Sequence, residues 1–140
     1  MKVRHVGVTV TDPAKSIEFY REMFGFSIKV EMDESGGHID NFSGLVGVDV
    51  HTIKMSGDDG SLIELLHYRS HPKTKEDRDI TFIGCSHFAI TVNNLQGLYD
   101  KLINNGVEVL CEPQKSPDGK VILTFCKDPD GTLIELVEEL

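Results

Sequence analysis

The sequence predicts an α+β protein made of two copies of one βαβββ module, and three observations carry that prediction. A histidine opens the first apolar strand of each half, His5 and His87. The tetrapeptide Leu-Ile-Glu-Leu recurs at 62–65 and 133–136, carrying Glu64 and Glu135. Between them, VRHVGVTVTDPAKSIEFYREMFGF and CSHFAITVNNLQGLYDKLINNGVEV run in the same order: His, apolar alternation, polar turn, helix-period segment, Gly. A fixed internal repeat is the signature of a duplicated structural unit. His5 and Glu64 lie 59 residues apart, His87 and Glu135 only 48, so the first half holds an insertion.

The elements follow in order from period and punctuation. Residues 3–11 alternate as a strand, with Val6, Val8 and Val10 on one face and His5, Gly7 and Thr9 on the other. Asp12 is the expected N-cap and Pro13 the first helical residue, since proline lacks the N–H that this position leaves unbonded. Ile17, Tyr20 and Phe24 form the apolar stripe, and Gly25 ends the helix. A strand is expected at 26–33, a glycine-rich loop with at most a short turn at 34–47, and strands at 48–56 and 61–68. The polar, proline-containing stretch 69–81 reads as a linker. Module 1 therefore covers about residues 1–70 and module 2 about 82–140. The second module repeats the order: strand 83–92, helix 94–105 closed by Gly106, strand 107–112, loop 113–119, strand 120–127, the turn DPDG at 128–131 and strand 132–139.

Composition narrows the function classes. The chain has 140 residues, 39% of them hydrophobic, enough to bury an ordinary core. No run of 18 apolar residues and no charged-then-apolar leader is present, so a cytoplasmic location is expected. Cys85, Cys111 and Cys126 are odd in number and lack a paired spacing, which suits a reducing compartment. A net charge of −9 with no basic run argues against nucleic acid as a partner, while allowing a small anion held by local Lys or Arg; without a long apolar run, no membrane partner is expected.

Period two places His5, Gly7 and Thr9 on one face, as it does Leu62, Glu64, Leu66 and Tyr68; His87, Ala89 and Thr91; and Leu133, Glu135 and Val137. The opposite residues, Val8, Ile63, Leu65, Ile90, Ile134 and Leu136 among them, suit packing under helices. A glutamate flanked by leucines on its own face is costly to bury unless it is paired or metal-bound. Two imidazoles and two carboxylates presented by duplicated units are a plausible ligand set for one divalent ion. Donors of nitrogen and oxygen without thiolate favour Ni, Co, Zn or Mn.

The same residues resemble the vicinal oxygen chelate superfamily, which includes glyoxalase I, methylmalonyl-CoA epimerase, extradiol dioxygenases and the fosfomycin and bleomycin resistance proteins. The matching pieces are His5 in RHVGVTV, the helix SIEFYREMFGF, Glu64 in LIELL, His87 in SHFAITV and Glu135 in DPDGTLIELVE, nearly the whole chain. The resemblance implies a curved mixed sheet with helices outside. It implies metal ligands His5, Glu64, His87 and Glu135, with Glu135 as first choice for the general base and Glu64 as its partner on the opposite side. It implies a glyoxalase-type isomerase or lyase, similar to lactoylglutathione lyase, that moves a proton beside a metal-bound carbonyl. An acyl-CoA epimerase and a non-catalytic binding or resistance protein are the alternatives. A small molecule with adjacent oxygens is the expected partner, in a homodimer whose clefts form within one chain or by exchange of modules. Bacterial glyoxalase I places Arg and Asn, for glutathione, where this chain has Thr9 and Tyr68; these two, with Lys120 in the loop 114–120, are the substrate-binding candidates. Cys85 is expected to be a small buried thiol, and His38, His51, His67 and His71 to be surface or structural residues.

Overall fold

The computed structural model describes all 140 residues, Met1–Leu140. The chain divides into two compact units, Met1–Lys75 and Glu76–Leu140, so the division falls inside the stretch read as a linker. No helix is long and apolar enough to cross a membrane.

The first unit runs β1 (Val6–Thr9), α1 (Pro13–Phe24), β2 (Ser27–Ser35), α2 (Gly37–Ser43), β3 (Asp49–Ser56) and β4 (Leu62–Tyr68). Its four strands form one sheet in the order β1-β4-β3-β2, with β1 parallel to β4 and the other pairs antiparallel. Parallel β1 and β4 need a long crossover, which α1, β2, α2 and β3 supply. Asp12 caps α1 by accepting a hydrogen bond from the Lys15 N–H at 3.2 Å. Gly25 ends it at φ 74°, a left-handed conformation that only glycine adopts freely, and its N–H donates to Arg21 O. The helix buries Ser16, Phe19 and Tyr20, a stripe turned from the expected Ile17, Tyr20 and Phe24 because Phe19 meets both Tyr20 and Phe24 edge-on. Beneath them Ile53, Met55 and Leu65 are fully buried.

The second unit runs β5 (His87–Thr91), α3 (Leu95–Asn104), β6 (Gln114–Lys115), β7 (Val121–Lys127) and β8 (Leu133–Glu139). Its sheet order, β5-β8-β7-β6, repeats the first, again with one parallel pair. Asn94 caps α3 by accepting from Gly97 N, and Leu95 and Leu102 are buried to zero exposure.

Two expectations need correction. The glycine-rich stretch 34–47 contains a helix, α2: Ile39 buries itself against Val48 and Val50, and the Asp40 carboxylate accepts from the N–H groups of Gly47 and Val48, both at 2.8 Å. The strand expected at 107–112 is reduced to one bridge, Val109 to Cys126, and pairing resumes only at the two-residue β6. Pro113 lies between them and has no N–H to give a ladder.

Candidate functional site

Each unit brings its histidine and glutamate together by the same register. In the first, Gly7 of β1 faces Glu64 of β4; in the second, Ala89 of β5 faces Glu135 of β8. His5 and His87 each sit two residues earlier, on the same face as the glutamate, because side chains alternate along a strand. His5 Nε2 lies 3.2 Å from Glu64 Oε2, and His87 Nε2 lies 3.5 Å from Glu135 Oε2. The same two atom types meet in both halves, and all four side chains are partly buried.

Each pair could offer one imidazole nitrogen and one carboxylate oxygen to a metal ion. Metal–donor bonds of about 2.0–2.2 Å at right angles set neighbouring donors about 3 Å apart, close to both separations. His87 is further prepared: its Nδ1 lies 2.9 Å from Ser86 Oγ, and an imidazole that gives one nitrogen to a metal uses the other N–H as a donor. The Nδ1 of His5 is buried without a partner. Each of these histidines meets one glutamate, and no group of three or more His, Cys, Asp or Glu side chains that could hold a metal ion is gathered around one point of the chain.

A third position separates the two pairs. The residue across the hairpin from Glu64 is Lys54, and from Glu135 it is Phe125. Lys54 Nζ lies 3.4 Å from Glu64 Oε1, whereas Phe125 meets the His87 ring edge-on at 5.3 Å. Both residues were missed in the sequence, although each stands ten residues before its glutamate around matched turns.

The other candidates lie further off. Thr9 is exposed on β1, level with Leu66 on the face that carries Glu64. Tyr68 packs on the Ile39–Val48–Val50 cluster that α2 completes. Lys120 is 80% exposed, 3.9 Å from Asp118, and precedes β7 by one residue. That puts it five residues from Phe125, roughly 16 Å along the strand. Cys85 is exposed, not buried; the strand begins only at His87, so nothing covers its thiol. Cys126 is the buried thiol, and burial pushes its pKa up to about 12.

On the other face of the first sheet, His51 bridges two strands. Its Nδ1 lies 2.7 Å from Asp33 Oδ1 and its Nε2 2.8 Å from Glu31 Oε1. Hydrogen bonding to Asp33, then to Glu31, raises the His51 pKa above its usual 6.5. Arg69 pairs with Asp49 at 2.6 Å and with Asp33 at 2.8 Å. Bonds from His51 first and Arg69 second lower the Asp33 pKa. Glu31, Asp33, His51 and Arg69, with His67 and the start of α1, line a cleft of about 430 Å³. The two nitrogens of His51 address separate carboxylates, so the cluster is an ion-pair clamp.

Comparison with known proteins agrees with this architecture. A model of the Glyoxalase/Bleomycin resistance protein/Dioxygenase superfamily matches residues 2–136. A probable lactoylglutathione lyase from Synechocystis is 27% identical over 138 residues, 99% of this chain and 95% of that protein. The crystal structure of a glyoxalase family protein from Bacillus cereus has a TM-score of 0.89 at 24% identity, covering 100% of this chain and 95% of that one. The fosfomycin resistance protein FosX from Listeria monocytogenes, complexed with Mn(II) and sulfate, has a TM-score of 0.69 at 16% identity over 99% of this chain and 93% of its own. With the family model spanning nearly every residue of both duplicated units, the chain belongs to the glyoxalase/bleomycin resistance protein/dioxygenase superfamily.

Proposed function

We propose that this protein is a metal-dependent isomerase or lyase of the glyoxalase type, acting by proton transfer on the carbon beside a carbonyl. The observation that carries the reading is the duplicated pair: Nε2 of a histidine against Oε2 of a glutamate, at 3.2 Å and 3.5 Å, reached through one register in two units. The lactoylglutathione lyase name of the Synechocystis relative and the manganese held by FosX support it. His5 and Glu64 in the first unit and His87 and Glu135 in the second are the proposed metal ligands.

A divalent ion held there supplies Lewis acidity that stabilises charge as a carbon acid loses its proton. The protein's own groups do the rest. Glu135 is the general base, taking the proton on a carboxylate oxygen and returning it to the neighbouring carbon; Glu64 is its counterpart in the first unit. Ser86 Oγ, 2.9 Å from His87 Nδ1, would accept from the Nδ1–H of a ring that gives its Nε2 to a metal. Thr9, on the Glu64 face, is the substrate contact nearest the first pair. With Thr9 and Tyr68 where glutathione contacts are expected, the thiol portion of the substrate differs from glutathione or is held by other groups.

The test loads the purified protein with Ni, Co, Zn or Mn and offers the hemithioacetal of methylglyoxal with glutathione and, separately, methylmalonyl-CoA. Turnover of the hemithioacetal that disappears in Glu135→Gln supports the reading. Turnover of the thioester alone makes the protein an epimerase. A protein that binds no metal and turns over neither is a binding protein of the same fold.

A further inference from the structure

The two half-sites differ at one charge. Lys54 stands on β3 in direct register with Glu64, and its ammonium lies 3.4 Å from Oε1, while Oε2 of the same carboxylate lies 3.2 Å from His5 Nε2. Glu64 is thus divided between two neighbours, one oxygen for each. Both Lys54 and Glu64 are largely covered, with side chains 28% and 15% exposed, so water competes less for the pair than at an open surface. Glu64 is the one carboxylate with which Lys54 forms an ion pair. The hairpin of the second unit is built on the same spacing, yet the place of Lys54 is taken by Phe125, whose ring meets His87 and brings no charge to Glu135.

We propose that Lys54 is a positioning residue for metal binding: it anchors Oε1 of Glu64 so that Oε2 stays turned toward His5. Glu135 has no lysine across its hairpin, where Phe125 stands instead. The inference rests on the metal reading above. Carboxylates that bind metals are commonly held by a hydrogen bond to their second oxygen, and losing that partner typically costs about 10–100-fold in metal affinity. A bare positive charge near the ion acts in the opposite direction by repulsion, so the sign of the effect separates anchoring from mere proximity.

The experiment titrates metal-free full-length protein with Co(II), following the visible absorption of the bound ion. Melting of the metal-free variants checks that each is folded. Lys54→Met is expected to weaken cobalt binding about tenfold or more and to alter the absorption band. Lys54→Arg, which keeps a donor and a charge, is expected to restore affinity to within about threefold and to return the band. Because Lys54 acts through Glu64, adding Lys54→Met to Glu64→Gln should cost nothing further, whereas adding it to Glu135→Gln should cost its full amount. Unchanged or tighter binding by Lys54→Met, or equal losses in both backgrounds, overturns the assignment. Wild-type protein that takes up no cobalt, or that binds it undiminished after Glu64→Ala, overturns the metal reading itself and this inference with it.

Discussion

The two units share one backbone plan and support it with different chemistry. Their last hairpins match residue for residue: Gly57 N–H bonds to Ser61 O at 2.9 Å, and Asp128 N–H to Thr132 O at 3.0 Å. The side chains do not match. Asp128 is buried and accepts from the N–H groups of Asp130 and Thr132, tying the second turn down from within. A Cβ at Gly57 would approach Asp59 Oδ1 at 3.2 Å and the Phe26 ring at 3.4 Å, so the first turn is packed against instead and uses Asp59, on its rim, to hold Ser61. Further along, His51 clamps β2 to β3, while the matching residue of β7 is Ile122, which pairs with Glu138 of β8 and, on its outer side, with the two-residue β6. Duplication thus preserved the backbone register that sets each His beside its Glu, while the residues around that pair diverged.

Substitutions that break this symmetry make the comparison testable. The largest effect is expected at the paired donors: His5→Ala, Glu64→Ala, His87→Ala and Glu135→Ala should each lower metal affinity more than about 100-fold, a loss beyond that seen for groups one bond further from the ion. Metal content after dialysis measures it, and retention of a full complement by any of the four removes that residue from the ligand set.

Next come the cores. Leu65 and Leu136 occupy equivalent places after the two glutamates, and both are fully buried. Truncation of either to Ala should cost about 2–5 kcal/mol in chemical denaturation. A markedly smaller cost in one unit would mark that unit as the one whose core adapts.

A smaller effect should follow from the turns. Asp128→Ala strands two N–H groups beside a buried site, at about 1–3 kcal/mol. Asp59→Ala opens an exposed turn that water can satisfy, and should cost less than 1 kcal/mol, roughly the value of an ordinary hydrogen bond. Equal costs would mean that burial does not distinguish the two hairpins.

The smallest is a pH effect confined to the first unit. The folded protein raises the His51 pKa, so the stability His51 contributes is fully present below its unfolded value of 6.5 and is lost as pH rises through the higher folded value. Asp33 works the other way: its pKa is lowered below 3.8, so its share is present above that value and lost on acidification through the folded one. The clamp is therefore complete between these limits. Melting temperatures measured upward from pH 6.5 should fall in the wild type, and that component should vanish in His51→Gln. An identical slope in the variant would place the dependence elsewhere.

Much of the architecture was legible in the sequence because it was written twice. The Leu-Ile-Glu-Leu repeat located β4 and β8, and strand parity put each His on the face of its Glu; the His67 ring, bonded to Val10 O, lies on the opposite face as parity requires. Lys54 and Phe125 went unnoticed because they lie across a hairpin, where the informative quantity is the distance from the turn and not the repeat. Helix α2 was hidden by its composition: five of its seven residues and both caps are glycine or polar, and only the burial of Ile39 and the Asp40 bonds give it a reason to form. Exposure of Cys85 depended on where β5 begins, and an apolar pattern reaching back to 83 concealed that boundary.

Sheet order has one further consequence. In each unit the last strand made lies between the first and the third, so β1 has no neighbour until β4 emerges, and β5 none until β8 does. During synthesis the opening histidine of a unit therefore waits for the whole of that unit before its glutamate arrives. Closing such distant contacts is slow, because loop entropy must be overcome before the pairing is rewarded. The histidine–glutamate pair is the final product of each unit's assembly, and a nascent unit lacking its closing strand has only the histidine in place.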